Sequence, residues 1–440
     1  MSTRIVVVGG GTAGARLAQR LPVTLLGEEP HAPYNRLLLA DVLAGRYGPE
    51  VIALPAAREP ARLGARAVRI DRAARTVECA DGSLVPYDRL VLATGAAPVL
   101  PPLRGLRGAE LPSGVHPFRT LDDCLALRGA VRPGVRAVVV GGGLLGVSAA
   151  RALAAAGAEV VLTQQGERLM ERQLDAEASA LLHAHLTDLG VEVHTECRVS
   201  GLRQRDGAVT AVELADGFVL DAGIVVLACG VRPRVALARA AGLDVRTGVV
   251  VDDQLRTSDP HVHAIGDCAE HAGRVYGLAG PALEQADVLA DLLLAESPAG
   301  ATGGPVVSAP AAEPGAARRA PAPESGTAPQ APADPAGGAR PLPRYTGTRA
   351  LTRLTLGGAR PLDLAAFGEA TPLPGDDVVR LADATRGAYR KVVVRGDRLV
   401  GGVLLGDLGA VGTLARAWEG DEALPDAPLL HLLTHDGGSS

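Results

Sequence analysis

Short apolar runs without polar alternation recur in the first part of the chain, and each precedes glycines and a helix-like segment. The runs 5–8 and 137–140 read Ile-Val-Val-Val and Ala-Val-Val-Val. Continuous apolar runs of this length are typical of parallel strands that are covered on both faces. Such strands, alternating with helical periodicity, indicate βαβ units, so the pattern predicts an α/β fold.

The same patterns predict the other elements of two such units. The first unit contains a helix at 13–21, a strand at 23–26 and one strand through 84–95. A further short strand at 262–265 ends in Gly266-Asp267. The second unit is predicted to contain helices at 145–156 and 175–189 and strands at 137–140, 159–163, 191–194, 209–214 and 224–228.

The second βαβ unit begins near residue 136, before the first unit is complete. We therefore predict two Rossmann-like α/β domains, one inserted in the other. The outer domain would comprise residues 1–120 and 253–296, and the inserted domain residues 121–252.

The composition changes at Ser297. Residues 297–343 are mostly Ala, Pro and Gly without apolar periodicity, and such a segment cannot bury enough apolar surface to offset the entropy of ordering. We interpret it as a disordered linker, and a partner-docking segment helped by Arg318 and Arg319 is the alternative.

Residues 344–440 are predicted to form a small α+β domain. A hairpin at 391–394 and 399–405 is followed by a helix at 408–418. This region contains no cluster of catalytic residue types, so we expect it to serve packing or a homodimer interface.

Two glycine-rich turns lie 132 residues apart, and each follows three valines. Both fit the pattern G-x-G-x-x-G between a strand and a helix, where a pyrophosphate can bind the helix N-terminus. One such motif is a weak signal, whereas two in register suggest two dinucleotides that exchange electrons. The candidate residues are Gly9, Gly11, Thr12, Ala13 and Gly14 in the first turn and Gly141, Gly143, Leu145 and Gly146 in the second.

Several strand ends carry residues suited to a dinucleotide. Glu28, 19 residues beyond Gly9, is placed to accept hydrogen bonds from an adenosine ribose, with Glu29 as the substitute. Asp267 could bind a ribityl or sugar hydroxyl. Small residues that allow close approach of a ligand end two further strands, and these are Ala93, Thr94 and Gly95 in the first unit and Gly230 in the second.

Charge and cysteine content narrow the class of protein. The net charge of −5 argues against a nucleic-acid partner. The five cysteines form no C-x-x-C motif, so free thiols in a reducing cytoplasm are expected and no metal site is predicted. No targeting segment or bilayer-length apolar stretch is visible, so no membrane association is expected.

Together, these segments resemble the FAD-dependent pyridine nucleotide–disulfide oxidoreductase superfamily. The likeness is strongest to the flavin module of assimilatory nitrite reductase large subunits, beside rubredoxin and ferredoxin reductases. Besides the two glycine turns, it is carried by residues 27–30, 33–39, 87–95, 118–124, 172–175, 266–268, 282–285, 391 and 399–406.

The resemblance implies FAD on the first turn, with its adenosine near Glu28 and its ribityl chain near Asp267. The isoalloxazine would lie near Arg36, Thr94 and a helix that begins around Ala282. NADH or NADPH would bind the inserted domain and pass a hydride to the flavin, with no catalytic side chain required. Electrons would then leave to a redox protein of the nitrate/nitrite reductase, ferredoxin or rubredoxin type.

The chain departs from the family pattern at several positions. Residues 34–47 contain no cysteine, which argues against disulfide chemistry. Asp41 stands where ferredoxin reductase-like members commonly carry a lysine, and Ser148 stands where members with an intact NADH site usually have a glutamate. The strand at 159–163 ends in Gln164 and Gln165, where an acid would favour NADH; Arg168 is the nearby candidate for NADPH.

The main hypothesis is an NAD(P)H-dependent FAD oxidoreductase that acts as an electron-transfer subunit. Iron–sulfur and sirohaem domains do not follow in the printed sequence, so we do not expect nitrite reduction by this chain itself. The alternatives are a rubredoxin or ferredoxin reductase, and a flavin-binding scaffold or redox sensor whose nicotinamide site has degenerated.

Overall fold

Strand β1 (Ile5–Val8) is buried along its whole length, as its unbroken apolar sequence predicts. The computed structural model describes residues 3–106, 110–296, 342–357, 361–383, 385–421, 423–425 and 428–433. The predicted linker at 297–343 lies outside these residues except for its last two positions.

Residues 3–120 supply three strands of a parallel sheet, a separate antiparallel sheet and two further strands. The strands after β1 are β2 (Thr24–Leu26), β3 (Ala67–Asp71), β4 (Thr76–Cys79), β5 (Leu84–Pro86), β6 (Arg89–Leu92), β7 (Ala96–Pro98) and β8 (Val115–Pro117). The helices are α1 (Thr12–Arg20) and α2 (Leu39–Leu43), with a 3-10 turn at Arg36–Leu38.

Residues 121–296 complete the α/β part of the chain. The helices are α3 (Leu121–Ala130), α4 (Leu144–Ala155), α5 (Ala176–Asp188), α6 (Ala236–Ala240) and α7 (Ala279–Ala295). The strands are β9 (Arg136–Val140), β10 (Glu159–Thr163), β11 (Val191–His194), β12 (Val199–Arg205), β13 (Ala208–Leu214), β14 (Val219–Asp221), β15 (Ile224–Leu227), β16 (Val231–Pro233), β17 (Val249–Val251), β18 (Val262–Ala264) and β19 (Ala269–His271).

The sheet order confirms that one α/β unit interrupts the other. The first sheet has the parallel order β18-β6-β1-β2, so a strand from beyond residue 253 completes the sheet that β1 begins. The second sheet has the parallel order β11-β10-β9-β15-β8. Strand β8 belongs to this second sheet although it precedes residue 121, the predicted start of the inserted domain.

The prediction of one strand through 84–95 is wrong. Val85 pairs with Val77 in the antiparallel β3-β4-β5 sheet, whereas Val91 pairs with Val7 in the parallel sheet. The predicted strand is therefore two strands, and Pro86-Tyr87-Asp88 carries the backbone from one sheet to the other. The other predicted helices and strands of both units are confirmed, with small shifts at their ends.

The C-terminal region forms a five-stranded antiparallel sheet with one helix against it. Its elements are β20 (Leu351–Leu356), β21 (Leu362–Gly368), β22 (Asp377–Asp383), β23 (Ala388–Arg395), β24 (Arg398–Leu405) and α8 (Val411–Gly420), with sheet order β20-β21-β24-β23-β22. The predicted hairpin is the β23–β24 pair. One face of the sheet packs on Leu414 and Trp418 of α8, and the other shares a core with α4 and α5.

Candidate cofactor-binding site

The first glycine turn requires glycine at two positions and leaves space at a third. Gly9 has φ +116°, and a Cβ there would lie 2.1 Å from the carbonyl oxygen of Ala93. A Cβ on Gly14 would lie 2.0 Å from the carbonyl oxygen of Gly9, so helix α1 packs directly on the turn. At Gly11, by contrast, no atom of the described chain lies within 4 Å of an added Cβ.

The second turn repeats this geometry in the inserted domain. Gly141 has φ +110°, and a Cβ there would lie 2.5 Å from the carbonyl oxygen of Ala228, while a Cβ on Gly146 would lie 1.7 Å from the carbonyl oxygen of Gly141. An added Cβ on Gly143 again has no neighbour within 4 Å among the described residues. Leu145 lies in the first turn of α4, which has Gly143 as its N-cap and no side-chain cap. Both helix N-termini are therefore open to an anion.

Glu28, the predicted ribose ligand, is half exposed and forms an ion pair with Arg234. Arg234 follows β16, which pairs with β7 and carries the chain back from the inserted domain. Its carbonyl oxygen accepts a hydrogen bond from Thr94 Oγ1 at 2.7 Å, and its backbone N–H donates to the carbonyl oxygen of Gly95 at 2.8 Å. Residues Ala93–Gly95 and Glu28 are thus brought together with Arg234.

Asp267 lies at the opposite side of the first turn. Its carboxylate accepts a hydrogen bond from Arg119 Nη2 at 2.6 Å, and both side chains are largely buried. Gly266 has φ +75°, and a Cβ there would lie 3.1 Å from that of Ala13 and 3.8 Å from that of Ala282. The N-terminus of α7 therefore meets the start of α1 beside Asp267.

Arg36 is held by one residue that precedes it and by one that lies far along the chain. Its Nη2 donates to Glu29 at 2.5 Å, and its Nη1 donates to the carbonyl oxygen of Arg119 at 2.9 Å. Tyr34 also donates to Glu29, at 2.6 Å. Burial and the Glu29 carboxylate raise the pKa of the Tyr34 hydroxyl, although the guanidinium of Arg36 opposes this shift. Glu29 is therefore already engaged, whereas Glu28 is the more exposed of the two acids.

Three residues at which the chain departs from the family pattern form hydrogen bonds within the protein. Ser148 is buried, and its hydroxyl donates to the carbonyl oxygen of Leu144 in its own helix at 2.8 Å. Asp41 accepts a hydrogen bond from the buried Arg151 at 2.9 Å. Gln164 Oε1 accepts a hydrogen bond from the backbone N–H of Gly142 at 2.8 Å, which holds this amide against the second glycine turn.

Arg119, Arg234 and Gln285 are candidate site residues that sequence reasoning did not select. Gln285 is buried on α7, and its Oε1 accepts a hydrogen bond from the backbone N–H of Gly266 at 2.7 Å. Arg119 and Gln285 lie in segments that carry the family resemblance, so the resemblance could have identified them as site residues. Arg234 reaches Glu28 over a separation of 206 residues, and no local pattern reports that pairing.

The cysteines and acidic residues show no second redox or metal centre in the part of the chain that is described. All five cysteines are free thiols; Cys79, Cys124 and Cys268 are buried, and Cys197 and Cys229 are partly buried. Burial raises the pKa of the Cys124 thiol to about 11. No group of three or more His, Cys, Asp or Glu side chains could hold a metal ion among the described residues. None of the described helices is long and apolar enough to cross a membrane.

Residues 3–286 match the model of the pyridine nucleotide-disulphide oxidoreductase family, a range that includes both glycine turns and Asp267. The chain belongs to this family. Members of the family are NAD(P)H oxidoreductases that bind FAD. Residues 359–420 also match the C-terminal domain of rubredoxin NAD+ reductase, and this range includes β21 to α8.

Two of the curated relatives are about twice as long as this chain. A nitrite reductase [NAD(P)H] of Bacillus subtilis (strain 168) is 31% identical over 92% of this chain and 46% of its own length. The assimilatory nitrate reductase electron transfer subunit of the same organism is 34% identical over 65% of this chain and 38% of its own length. The chain thus spans less than half of either relative.

Solved oxidoreductase structures share the fold over almost the whole chain. A ferredoxin reductase from Rhodopseudomonas palustris is 25% identical, with a TM-score of 0.76 and coverage of 96% of both chains. The putidaredoxin reductase of a covalent complex with putidaredoxin is 24% identical, with a TM-score of 0.77 and coverage of 98% of both chains. The latter likeness supports the fold alone.

Proposed function

We propose that this chain binds FAD on the first glycine turn and NAD(P)H on the second, and transfers electrons to a redox protein. The observation that carries the proposal is the repeated turn geometry. In each turn two glycines are required by backbone contacts, while Gly11 and Gly143 leave the space that a pyrophosphate needs beside an uncapped helix N-terminus.

The residues around the first turn fit FAD. Glu28 would accept hydrogen bonds from the adenosine ribose, with Arg234 balancing its charge. Asp267 would accept a hydrogen bond from the ribityl chain in addition to the one that it accepts from Arg119. Arg36, Thr94 and the N-terminus of α7 at Ala282 would lie near the isoalloxazine, where a helix dipole stabilises negative charge.

The inserted domain would hold the nicotinamide nucleotide. The second turn and Gly230 would contact its pyrophosphate, and Gln164 is placed to reach the adenosine ribose. When bound, the two cofactors supply hydride and single-electron chemistry, which protein side chains lack. No side chain needs to act as an acid or base, so the protein's part is to position both cofactors and to keep water away from them.

The acceptor we propose is a protein of the nitrate or nitrite reductase type. The names of the two Bacillus subtilis relatives support it, and a ferredoxin or rubredoxin is the alternative within the same class. The net charge of −5 supports the absence of a nucleic-acid partner. Free thiols are consistent with a reducing cytoplasm, and the C-terminal sheet is our candidate for a homodimer interface.

Anaerobic spectroscopy of the purified full chain tests the proposal. The protein should carry the absorbance of FAD, which should bleach on addition of NADH or NADPH and return on addition of an acceptor protein. Nitrate reductase, ferredoxin and rubredoxin should each be offered in turn. A protein that stays colourless after reconstitution with FAD would refute the proposal.

A flavin-binding scaffold or redox sensor is the second candidate. It is favoured by Ser148, because this position has a hydroxyl that donates a hydrogen bond within its own helix and has no carboxylate that could contact a nicotinamide nucleotide. Flavin that dithionite reduces, but neither nicotinamide nucleotide does, would establish this alternative.

A further inference from the structure

A cavity of about 460 Å³ opens at the carboxyl edge of the second sheet. It is lined by Val140 at the end of β9, by Cys229 just after β15 and by Gln165 just after β10. Strands β9 and β15 are the neighbours at which the strand order of this sheet reverses. Doubly wound sheets bind their ligands in the crevice at such a point, and the cavity has a volume typical of ligand sites.

The end of β10 contributes neutral amides to this region. Acidic residues at this position accept hydrogen bonds from both ribose hydroxyls and repel a 2′-phosphate. Here Gln164 Oε1 is occupied by the backbone N–H of Gly142, so the Nε2 group remains as a donor. A donor of this kind suits a phosphate oxygen as well as a hydroxyl.

Arg198 supplies the unpaired positive charge of the cavity. It lines the same cavity as Gln165, and the backbone N–H of the preceding Cys197 donates to the carbonyl oxygen of Gln164 at 2.9 Å. The other arginine of the lining, Arg104, is paired with Glu213 at 2.9 Å. The guanidinium of Arg198 is exposed and makes no hydrogen bond or ion pair with the described parts of the chain.

On the basis of the proposed function, we infer that this cavity binds the adenosine end of NADPH and that Arg198 pairs with its 2′-phosphate. The sequence pointed to Arg168 for this role, but Arg168 does not line the cavity. The exposed carboxylates of Glu167 and Glu196 do not line it either. The one acid of the lining, Glu213, is paired with Arg104, whereas the guanidinium of Arg198 has no partner among the described residues. A planar guanidinium matches the geometry of a phosphate.

Titration of the full chain with 2′,5′-ADP and with 5′-AMP tests the inference without turnover. The two probes differ only in the 2′-phosphate, so we expect 2′,5′-ADP to bind at least about tenfold more tightly, and less so at high salt. In Arg198→Ala its affinity should fall about 10- to 100-fold, the range of a lost charge-assisted hydrogen bond. The affinity for 5′-AMP should stay the same.

Two variants serve as controls, and a third adds a negative charge to the lining of the cavity. Arg205→Ala removes an exposed arginine at the far end of β12, the strand that Arg198 directly precedes; Arg205 lies outside the cavity, so both affinities should stay unchanged. Arg168→Ala should also leave the ratio unchanged. Gln165→Asp places a carboxylate in the lining and should weaken 2′,5′-ADP alone.

The outcomes separate this inference from the proposed function. Equal affinity for both probes in the wild type, or loss of the preference in Arg168→Ala but not in Arg198→Ala, would overturn it. If NADH reduces the flavin while 2′,5′-ADP binds no better than 5′-AMP, the proposed function stands and the inference falls. If 2′,5′-ADP is preferred but neither nucleotide reduces the flavin, the inference stands and the proposed enzyme activity falls.

Discussion

Arg151 in the inserted domain donates a hydrogen bond to Asp41 of helix α2 at 2.9 Å, and the arginine side chain is only 3% exposed. A second N–H of the same guanidinium donates to the carbonyl oxygen of Gly357 in the C-terminal region at 3.0 Å. One buried arginine therefore joins the outer α/β domain, the inserted domain and the C-terminal region. Asp41 therefore has a structural partner.

Removing the carboxylate of this pair should destabilise the protein strongly. Asp41→Ala leaves Arg151 buried without a counter-charge, and such a loss typically costs about 3–5 kcal/mol. We expect the free energy of unfolding in urea to fall by that order. The double variant Asp41→Leu with Arg151→Met should recover most of the loss, because no buried charge then lacks a partner and Arg46, which also lies 3.6 Å from Asp41, is partly exposed to solvent.

Glu159→Ala provides the matched control, since Glu159 pairs with Arg136 at 3.3 Å but both side chains are more than half exposed. A surface pair of this kind contributes about 0–1 kcal/mol. Equal free energies of unfolding for Asp41→Ala and the wild type would show that the packing of the three parts does not depend on this contact.

The two glycine turns offer a matched pair of substitutions. Gly11→Ala and Gly143→Ala each add a methyl group where the described chain has no atom within 4 Å, so both variants should fold. The methyl group would occupy space that we assign to a pyrophosphate. Gly11→Ala should therefore lower FAD content, while Gly143→Ala should keep FAD and raise the KM for NAD(P)H.

The flavin spectrum and circular dichroism of each purified variant check this prediction. Gly9→Ala is the contrasting control, because its Cβ would overlap the carbonyl oxygen of Ala93 at φ +116°, and it should fail to fold. Loss of FAD from Gly143→Ala with FAD retained in Gly11→Ala would reverse our assignment of the cofactors.

The local part of this site could be predicted from the sequence, and its long-range part could not. The turns at Gly9 and Gly141 follow from spacing alone, because backbone geometry in a strand–turn–helix unit is local. The Asp41–Arg151 pair joins residues 110 positions apart, and its formation depends on how α2, α4 and the C-terminal region pack together. Strand β8 has only three residues, and its membership of the second sheet depends on pairing with β15 rather than on its own pattern.

His263 should make the stability of the protein sensitive to acid. It is fully buried in β18, where neither ring nitrogen has a hydrogen-bond partner among the described residues. Burial lowers the pKa of the imidazole from 6.5 to about 4, against the opposing charge of Glu296. As the pH falls, the imidazole is protonated in the unfolded chain before it is protonated in the folded protein. The stabilisation present above pH 6.5 is therefore lost as the pH falls towards 4.

Urea denaturation at pH 7 and pH 5 measures the effect. We expect His263 to account for a loss of about 2 kcal/mol between these values. His263→Leu should reduce the loss by that amount, whereas replacement of the more exposed His194 by Ala should leave it unchanged. The same pH dependence in His263→Leu and the wild type would assign the acid sensitivity to other groups.

Asp175 should attach the C-terminal sheet to the inserted domain through its charge. It caps α5 through the backbone N–H of Ala178 at 3.0 Å and accepts hydrogen bonds from Lys391 Nζ at 2.9 Å and the Tyr389 hydroxyl at 2.7 Å. Burial raises the pKa of this carboxyl, but these donors, Lys391 foremost, outweigh it and leave the pKa lowered. The charged form is therefore the one that the structure stabilises.

Two substitutions separate the charge of Asp175 from its capping role. Asparagine can still cap α5 but leaves the largely buried ammonium of Lys391 unpaired, so Asp175→Asn should cost about 2–3 kcal/mol and expose the C-terminal region to limited proteolysis. Asp175→Ala should cost about 1 kcal/mol more through loss of the cap. Lys391→Met in the Asp175→Asn background should restore protease resistance, because no buried charge then lacks a partner. Unchanged proteolysis in Asp175→Asn would mean that the apolar core between the sheet and α5 suffices for docking.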